Sequence, residues 1–242
     1  MPFLIILFLL FSFQMYAGEI WLSASAHATG AYETNWRTDV SVLNNGLEEA
    51  NISIYFLQSG ADKSEENLSR NPVSINLPPK NQVKIDDILK EKFGIEAGSG
   101  ALMLSSDKEI LVVSRTYNKL PDKEYGQFIP GISISKAKKE QKLIGAISST
   151  SFRTNLGILN PSKTEKAQIN LKFLNKNGGL IKESNVELNQ WVHIQFNDLF
   201  SYFGITPQED VSIILNSSTP IFCYLSVVDN QSSDPIFIPG LL

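Results

Sequence analysis

Hydrophobic residues recur at every second position along most of this chain, and the recurrence comes in two matched sets. In the first, Trp36, Thr38, Val40 and Val42 alternate with Arg37, Asp39, Ser41 and Leu43; in the second, Phe152, Thr154, Leu156 and Ile158 alternate with Arg153, Asn155, Gly157 and Leu159. A strand sends successive side chains to opposite faces, so this period predicts half-buried β-strands. The next strand reads Ile52, Ile54, Phe56 in one set and Ile169, Leu171, Phe173 in the other, after the turn sequences Asn44-Asn45-Gly46 and Asn160-Pro161-Ser162. Val73, Ile75 and Leu77 answer to Val186 and Leu188, and Val83 and Ile85 to Val192 and Ile194.

The period changes once per set. Asp86 to Gly94 and Asn197 to Gly204 each begin on a polar cap residue and end on glycine, which predicts one short helix apiece. Two hairpins follow, Ala101–Leu104 with Ile110–Val113 and Val211–Leu215 with Ile221–Val228, and both halves close on Phe-Ile-Pro-Gly, at Phe128–Gly131 and Phe237–Gly240. One module is therefore used twice. The predicted fold class is all-β: two tandem immunoglobulin-like antiparallel β-sandwiches, each with one short helix. The predicted boundaries are residues 18–131 and 142–242, with 132–141 as a linker whose polar stretch Ser135–Gln141 is expected to be exposed.

The string Trp21-Leu22-Ser23-Ala24-Ser25-Ala26-His27-Ala28-Thr29-Gly30, with Trp36-Arg37-Thr38-Asp39, Ser114–Asn118 and Gly126–Gly131, resembles a repeated β-sandwich module of secreted bacterial proteins that has no assigned activity. The resemblance covers residues 20–242. It implies a sandwich and an exported location, and no reaction. The second copy departs from it, lacking the segment from His27 to Tyr32 and carrying Asn155 where the first has Asp39.

Composition narrows the function. Hydrophobic residues make up 43% and charged residues 19%, which is globular, and a net charge of −4 without a basic stripe opposes a general nucleic-acid binder. Residues 1–17, with the apolar run Phe3–Phe11, read as a secretory signal peptide cut near Ala17 or Gly18. An uncleaved anchor is the other reading, and the leader is then the one route to a membrane. Cys223 stands alone, so no internal disulfide is expected; its alignment with Leu111 predicts a buried small hydrophobe.

The chain carries no H-E-x-x-H, C-x-x-C, phosphate-loop or G-x-S-x-G pattern, and Glu48-Glu49, Glu65-Glu66 and Asp86-Asp87 fall in turns or at a helix start. No catalytic residue, metal or cofactor is predicted. His193, aligned with Lys84, is expected on an outward, solvated face. The aromatic residues Tyr32, Trp36, Tyr117, Tyr125 and Trp191 are candidates for a sugar-binding face, although most such residues in a sandwich are core. His27 and Tyr32 lie in a segment peculiar to the first copy, just before the strand that begins at Trp36, and with Trp36 they form the candidate partner-binding loop. Asp39 and Arg115 align with Asn155 and Val227, and two charges lost together predict a cross-strand ion pair. The expected function is that of a secreted, periplasmic or cell-surface protein, not an enzyme, acting as a binding or structural module for an extracellular protein or glycan. A carbohydrate-binding protein, and an enzyme with its site in the cleft between the repeats, are the alternatives.

Overall fold

The computed structural model describes residues 18–30 and 33–241; the leader and Tyr32 lie outside the described residues. The first module is built from β1 (Glu19–Thr29), β2 (Asn35–Asn44), β3 (Ala50–Gln58), β4 (Val73–Leu77), β5 (Gln82–Ile85), β6 (Gly98–Ser106), β7 (Ile110–Lys119) and β8 (Glu124–Pro130). A short β9 (Ile132–Ser133) follows. The second module comprises β10 (Lys138–Ala146), β11 (Phe152–Asn160), β12 (Ala167–Leu174), β13 (Leu180–Leu188), β14 (Val192–Phe196), β15 (Val211–Asp229) and β16 (Pro235–Pro239).

Both modules are antiparallel two-sheet sandwiches. In the first, one sheet runs β4-β3-β6-β1, and in the other β2 lies between β5 and β7, with β8 outside β7. β1 leaves the first sheet at its end, where Ala28 and Thr29 pair with Trp36 and Asn35 of β2. The second module repeats this arrangement, with the long β15 standing for both β6 and β7: its first half lies between β12 and β10, its second between β11 and β16.

The pairing registers correct the alignment drawn from sequence. Val42 faces Val112, and its counterpart Ile158 faces Cys223, so Cys223 corresponds to the buried Val112 and not to the exposed Leu111. By the same reading Arg115 corresponds to Ser226, Lys84 to Gln195, and Gln82 to His193.

Each sandwich has its own core, and Tyr224 and Phe237 of the second module pack against that of the first. Leu22, Val40, Ile52, Phe56 and Leu102 centre the first, Leu143, Leu156, Ile169, Phe173 and Ile213 the second. Each buried side chain of this size contributes about 1.5–3 kcal/mol through removal from water. The predicted helices appear as α2 (Ile88–Phe93) and α3 (Leu199–Tyr202), while α1 (Ser64–Ser69) was not foreseen and gives the first module a second helix. α2 and α3 each follow a residue in left-handed conformation, Asp87 at φ 42° and Asp198 at φ 45°. The same side-chain position holds both: Asp87 N–H donates to Asp39 Oδ1 and Asp198 N–H to Asn155 Oδ1, each at 3.0 Å.

A third apolar cluster joins the modules. Trp21, Leu57, Ala101, Met103 and Ala137 meet Leu159, Trp191 and Phe222, with Trp21 edge-on to Trp191 at 5.2 Å between ring centroids. The loop 59–72, where the second module has only the turn 175–179, clasps the partner module and carries α1. Gly60 N–H donates to His193 O at 3.0 Å, Ser64 Oγ–H to Gln190 O at 2.6 Å, and Asn67 Nδ2–H to Trp191 O at 3.2 Å. The stretch expected as an exposed linker is built into the fold: β9 pairs with β1, Ala137 is buried in the joint, and β10 already begins at Lys138. Ser133–Lys136, Lys139 and Glu140 are exposed, as their polar sequence suggests, while Ala137 and Gln141 are buried. Among the described residues, no helix is long and apolar enough to cross a membrane.

Candidate functional site

The two modules are set head to tail: the outer face of the β3-β6-β1 sheet lies on the outer face of the β14-β11-β15 sheet. His193 belongs to the covered face, so it is 1% exposed instead of solvated. Its Nε2 lies 3.2 Å from Tyr224 Oη, Tyr224 Oη–H donates to Gln195 Oε1 at 2.8 Å, and Gln195 Nε2–H donates to Asn197 Oδ1 at 2.8 Å. Burial lowers the His193 pKa to about 3, so the imidazole is neutral, and burial also pushes the Tyr224 hydroxyl up. Gly157 makes the floor possible, because a Cβ there would stand 2.0 Å from the Tyr224 ring.

Where the two faces part, they leave a cleft of about 480 Å³. The first module lines it with small residues of β1, among them Ala24, Ala26 and Ala28, and with Trp36, Thr116 and Gln127. The second contributes Arg153, Asn155, Gln195, Ser226 and the His193–Tyr224 pair. Gln127 reaches across the joint, its Oε1 accepting from Ser226 Oγ at 3.1 Å. Arg153 is bonded to Asn230 Oδ1 at 2.8 Å.

The counterpart of the covered face, on the first module, is open. Leu43, Leu111, Val113 and Phe128 correspond to Leu159, Phe222, Tyr224 and Phe237. Leu111 is 53% and Phe128 61% exposed, whereas Leu159 and Phe222 are buried. Lys80, at φ 61°, stands where Trp191 stands at φ 57°.

The residues singled out from sequence scatter. His27 is in β1 and not in a loop; its Nδ1 lies 2.8 Å from Asp87 Oδ1, and Arg37 Nε is 3.2 Å from Asp87 Oδ2. Trp36 lines the cleft, and Tyr32 falls outside the described residues. Asp39 and Arg115 are register partners, as expected, yet each charge is met elsewhere: Asp39 Oδ2 by Lys84 Nζ at 2.9 Å and Arg115 Nη1 by Glu124 Oε2 at 2.7 Å. The Arg115 guanidinium lies over the Tyr117 ring, 4.5 Å from its centre, and it is the Tyr117 hydroxyl that donates to Asp39 Oδ1, at 3.3 Å. Among the described residues these aromatics form no exposed row: Tyr117 and Trp191 are buried, and Tyr125 is half-buried beside Lys123. His193, Tyr224, Gln195 and Asn155 went unnoticed as a group. Comparing the copies position by position would have flagged them, since Asp39, Lys84 and Arg115 give way to the neutral Asn155, Gln195 and Ser226 on one face.

No protein-family model and no curated protein matches the chain. Among solved structures it is similar to Thermotoga maritima 1070, with 19% identity over 44% of this chain and 95% of that one and a TM-score of 0.39. A glycosyl hydrolase family 2 member from Bacteroides cellulosilyticus DSM 14838 gives 8% identity over 93% of this chain and 28% of that one, TM-score 0.19. Bacteroides uniformis beta-glucuronidase 3 gives 11% identity over 93% of this chain and 26% of that one, TM-score 0.17. The chain thus spans about a quarter of the length of these two hydrolases. These neighbours are weak and distant.

Proposed function

We propose that the chain is an exported, non-catalytic docking protein whose open sheet face, formed by β5, β2, β7 and β8, receives the sheet face of a partner β-sandwich protein. One observation carries the reading. The repeat-equivalent face of the second module is already a built interface, covered by Trp21, Leu57, Ala101 and Met103. On the first module the matching positions hold Leu111, Val113 and Phe128 toward solvent beside the half-buried Leu43, apolar exposure of the kind that marks association surfaces. The partner surface that fits has the chemistry of the one covering the twin face: a tryptophan, a second aromatic and small residues on adjoining strands.

A second copy of the chain does not present that surface. Met103 is flanked by Trp21 and Tyr55, but its counterpart Ile214 is flanked by Lys142 and Lys172. A head-to-tail second copy would bring Lys142 against Lys80, and like charges oppose the contact. Absence of turnover is supported by how the titratable groups are spent: the Asp87 carboxylate holds His27 and Arg37, and His193 is buried and neutral. Export rests on the apolar leader read in residues 1–17.

The test places a photo-crosslinking amino acid at position 111, at 128 and, as a control, at 172 in the chain expressed by its native cells. One adduct of common mass is expected from 111 and 128 and none from 172, with Val113→Glu abolishing it. An adduct of twice the chain mass, or equal labelling from all three positions, would overturn the proposal.

A further inference from the structure

We infer that the cleft between the modules is a binding site for a neutral, hydroxyl-rich ligand, a mono- or disaccharide. Its volume, about 480 Å³, lies within the range of small-molecule sites. Such a ligand needs many neutral donors and acceptors and an apolar surface for the carbon faces of its rings. Asn155, Gln195, Ser226, Gln127 and Thr116 supply the first, and Trp36 with Ala26 and Ala28 the second.

The charges argue for neutrality. On the first module the corresponding positions carry Asp39, Lys84 and Arg115; wherever the second module faces the cleft they have become neutral polar residues. The two charged residues of the lining are Arg153, bonded to Asn230, and Asp198, so neither sign dominates. An anion or a cation would find no concentrated opposite charge.

The hydrogen-bond directions fix the polar floor of the cleft in a neutral form. Gln195 donates through Nε2 to Asn197, which fixes its Oε1 as the acceptor for Tyr224 Oη–H. Tyr224 Oη must then accept from His193 Nε2–H, and His193 Nδ1 is an acceptor with no donor among the described residues. A neutral imidazole is the form this arrangement requires, in keeping with its low pKa of about 3.

The experiment is calorimetry and tryptophan fluorescence on the full chain, titrated with a panel of common neutral mono- and disaccharides, with glucuronate and inorganic phosphate as charged comparators. Saturable binding of at least one neutral sugar with a change in tryptophan emission is expected, the charged comparators being about tenfold weaker or worse. Ala28→Phe fills the cleft without removing a polar group and should weaken that sugar by about tenfold or more, while Trp36→Phe should retain more affinity than Trp36→Ala. Circular dichroism verifies that each variant is folded. No saturable binding across the neutral panel, preferred binding of phosphate or glucuronate, or affinity indifferent to Ala28→Phe would each overturn the inference.

Discussion

Asp39 is bonded to Lys84, its neighbour across the β2–β5 pairing, with Oδ2 and Nζ 2.9 Å apart, while its Oδ1 accepts the Asp87 N–H at 3.0 Å. In the second module the same two positions are Asn155 and Gln195, and Asn155 Oδ1 still accepts the Asp198 N–H. The acceptor is kept and the ion pair is dropped as a unit. Arg115 is lost as well, becoming Ser226, but the charge bonded to Asp39 is that of Lys84.

Asp39→Asn therefore keeps the bond to Asp87 and costs the chain less than about 1 kcal/mol, since the Lys84 end of the pair is solvated. Asp39→Ala removes the acceptor and costs about 1–3 kcal/mol. Urea denaturation measures both, and a double-mutant cycle should find coupling of Asp39 with Lys84 and none with Arg115. Burial raises the Asp39 pKa, but the Asp87 N–H, Lys84 and Tyr117 outweigh it and hold the carboxyl below its usual value. Its contribution is present above the unfolded carboxyl pKa near 3.9 and is lost as pH falls through the lower folded value.

His193 acts in the opposite sense. The unfolded chain takes up a proton near pH 6.5 that the buried imidazole refuses until about 3, so stability should fall by up to about 1.4 kcal/mol per pH unit as pH drops below 6.5. His193→Gln, the residue type of the first module at Gln82, should flatten that part of the pH–stability curve. A slope unchanged by the substitution would count against a neutral His193.

Asn67 is the centre of the clasp: it accepts from Gln58 N–H at 2.8 Å and donates to Gln58 O at 3.0 Å and to Trp191 O at 3.2 Å. Asn67→Ala should cost about 1–3 kcal/mol and speed amide exchange in Asn189–His193. Exchange unaltered there would mean that the loop 59–72 does not hold the second module.

Sequence alternation was sufficient for the strands because each sandwich buries one face of each sheet, and period two reports that directly. It was insufficient for the joint. Leu159, Phe222 and Tyr224 lie on the outer faces of β11 and β15, and only a second module laid across them makes them interior. Trp21 and Met103 likewise alternate with the core residues Leu22 and Leu102 and read as ordinary strand residues, so nothing local marks them as contacts. The helix α1 was hidden for another reason: its one-turn span has no apolar period, and its buried Ser64 and Asn67 point into the other module.

Because Ile132–Ala137 packs on β1 and in the joint, limited trypsin digestion should spare Lys136–Lys142 and cut first elsewhere, as at the exposed turn containing Lys119 and Lys123. Cleavage beginning at Lys136–Lys142 would contradict a structured connection.

The central claim is that the open face of the first module accepts the kind of surface that covers its twin. The most direct measurement rebuilds that surface on the chain itself, with Lys142→Trp and Lys172→Tyr, and follows assembly by sedimentation velocity. The account predicts that the wild-type chain stays monomeric, that the double variant forms head-to-tail oligomers because such a contact leaves both ends open, and that adding Leu111→Glu returns it to monomer. A double variant that remains monomeric, or oligomers indifferent to Leu111→Glu, would contradict it.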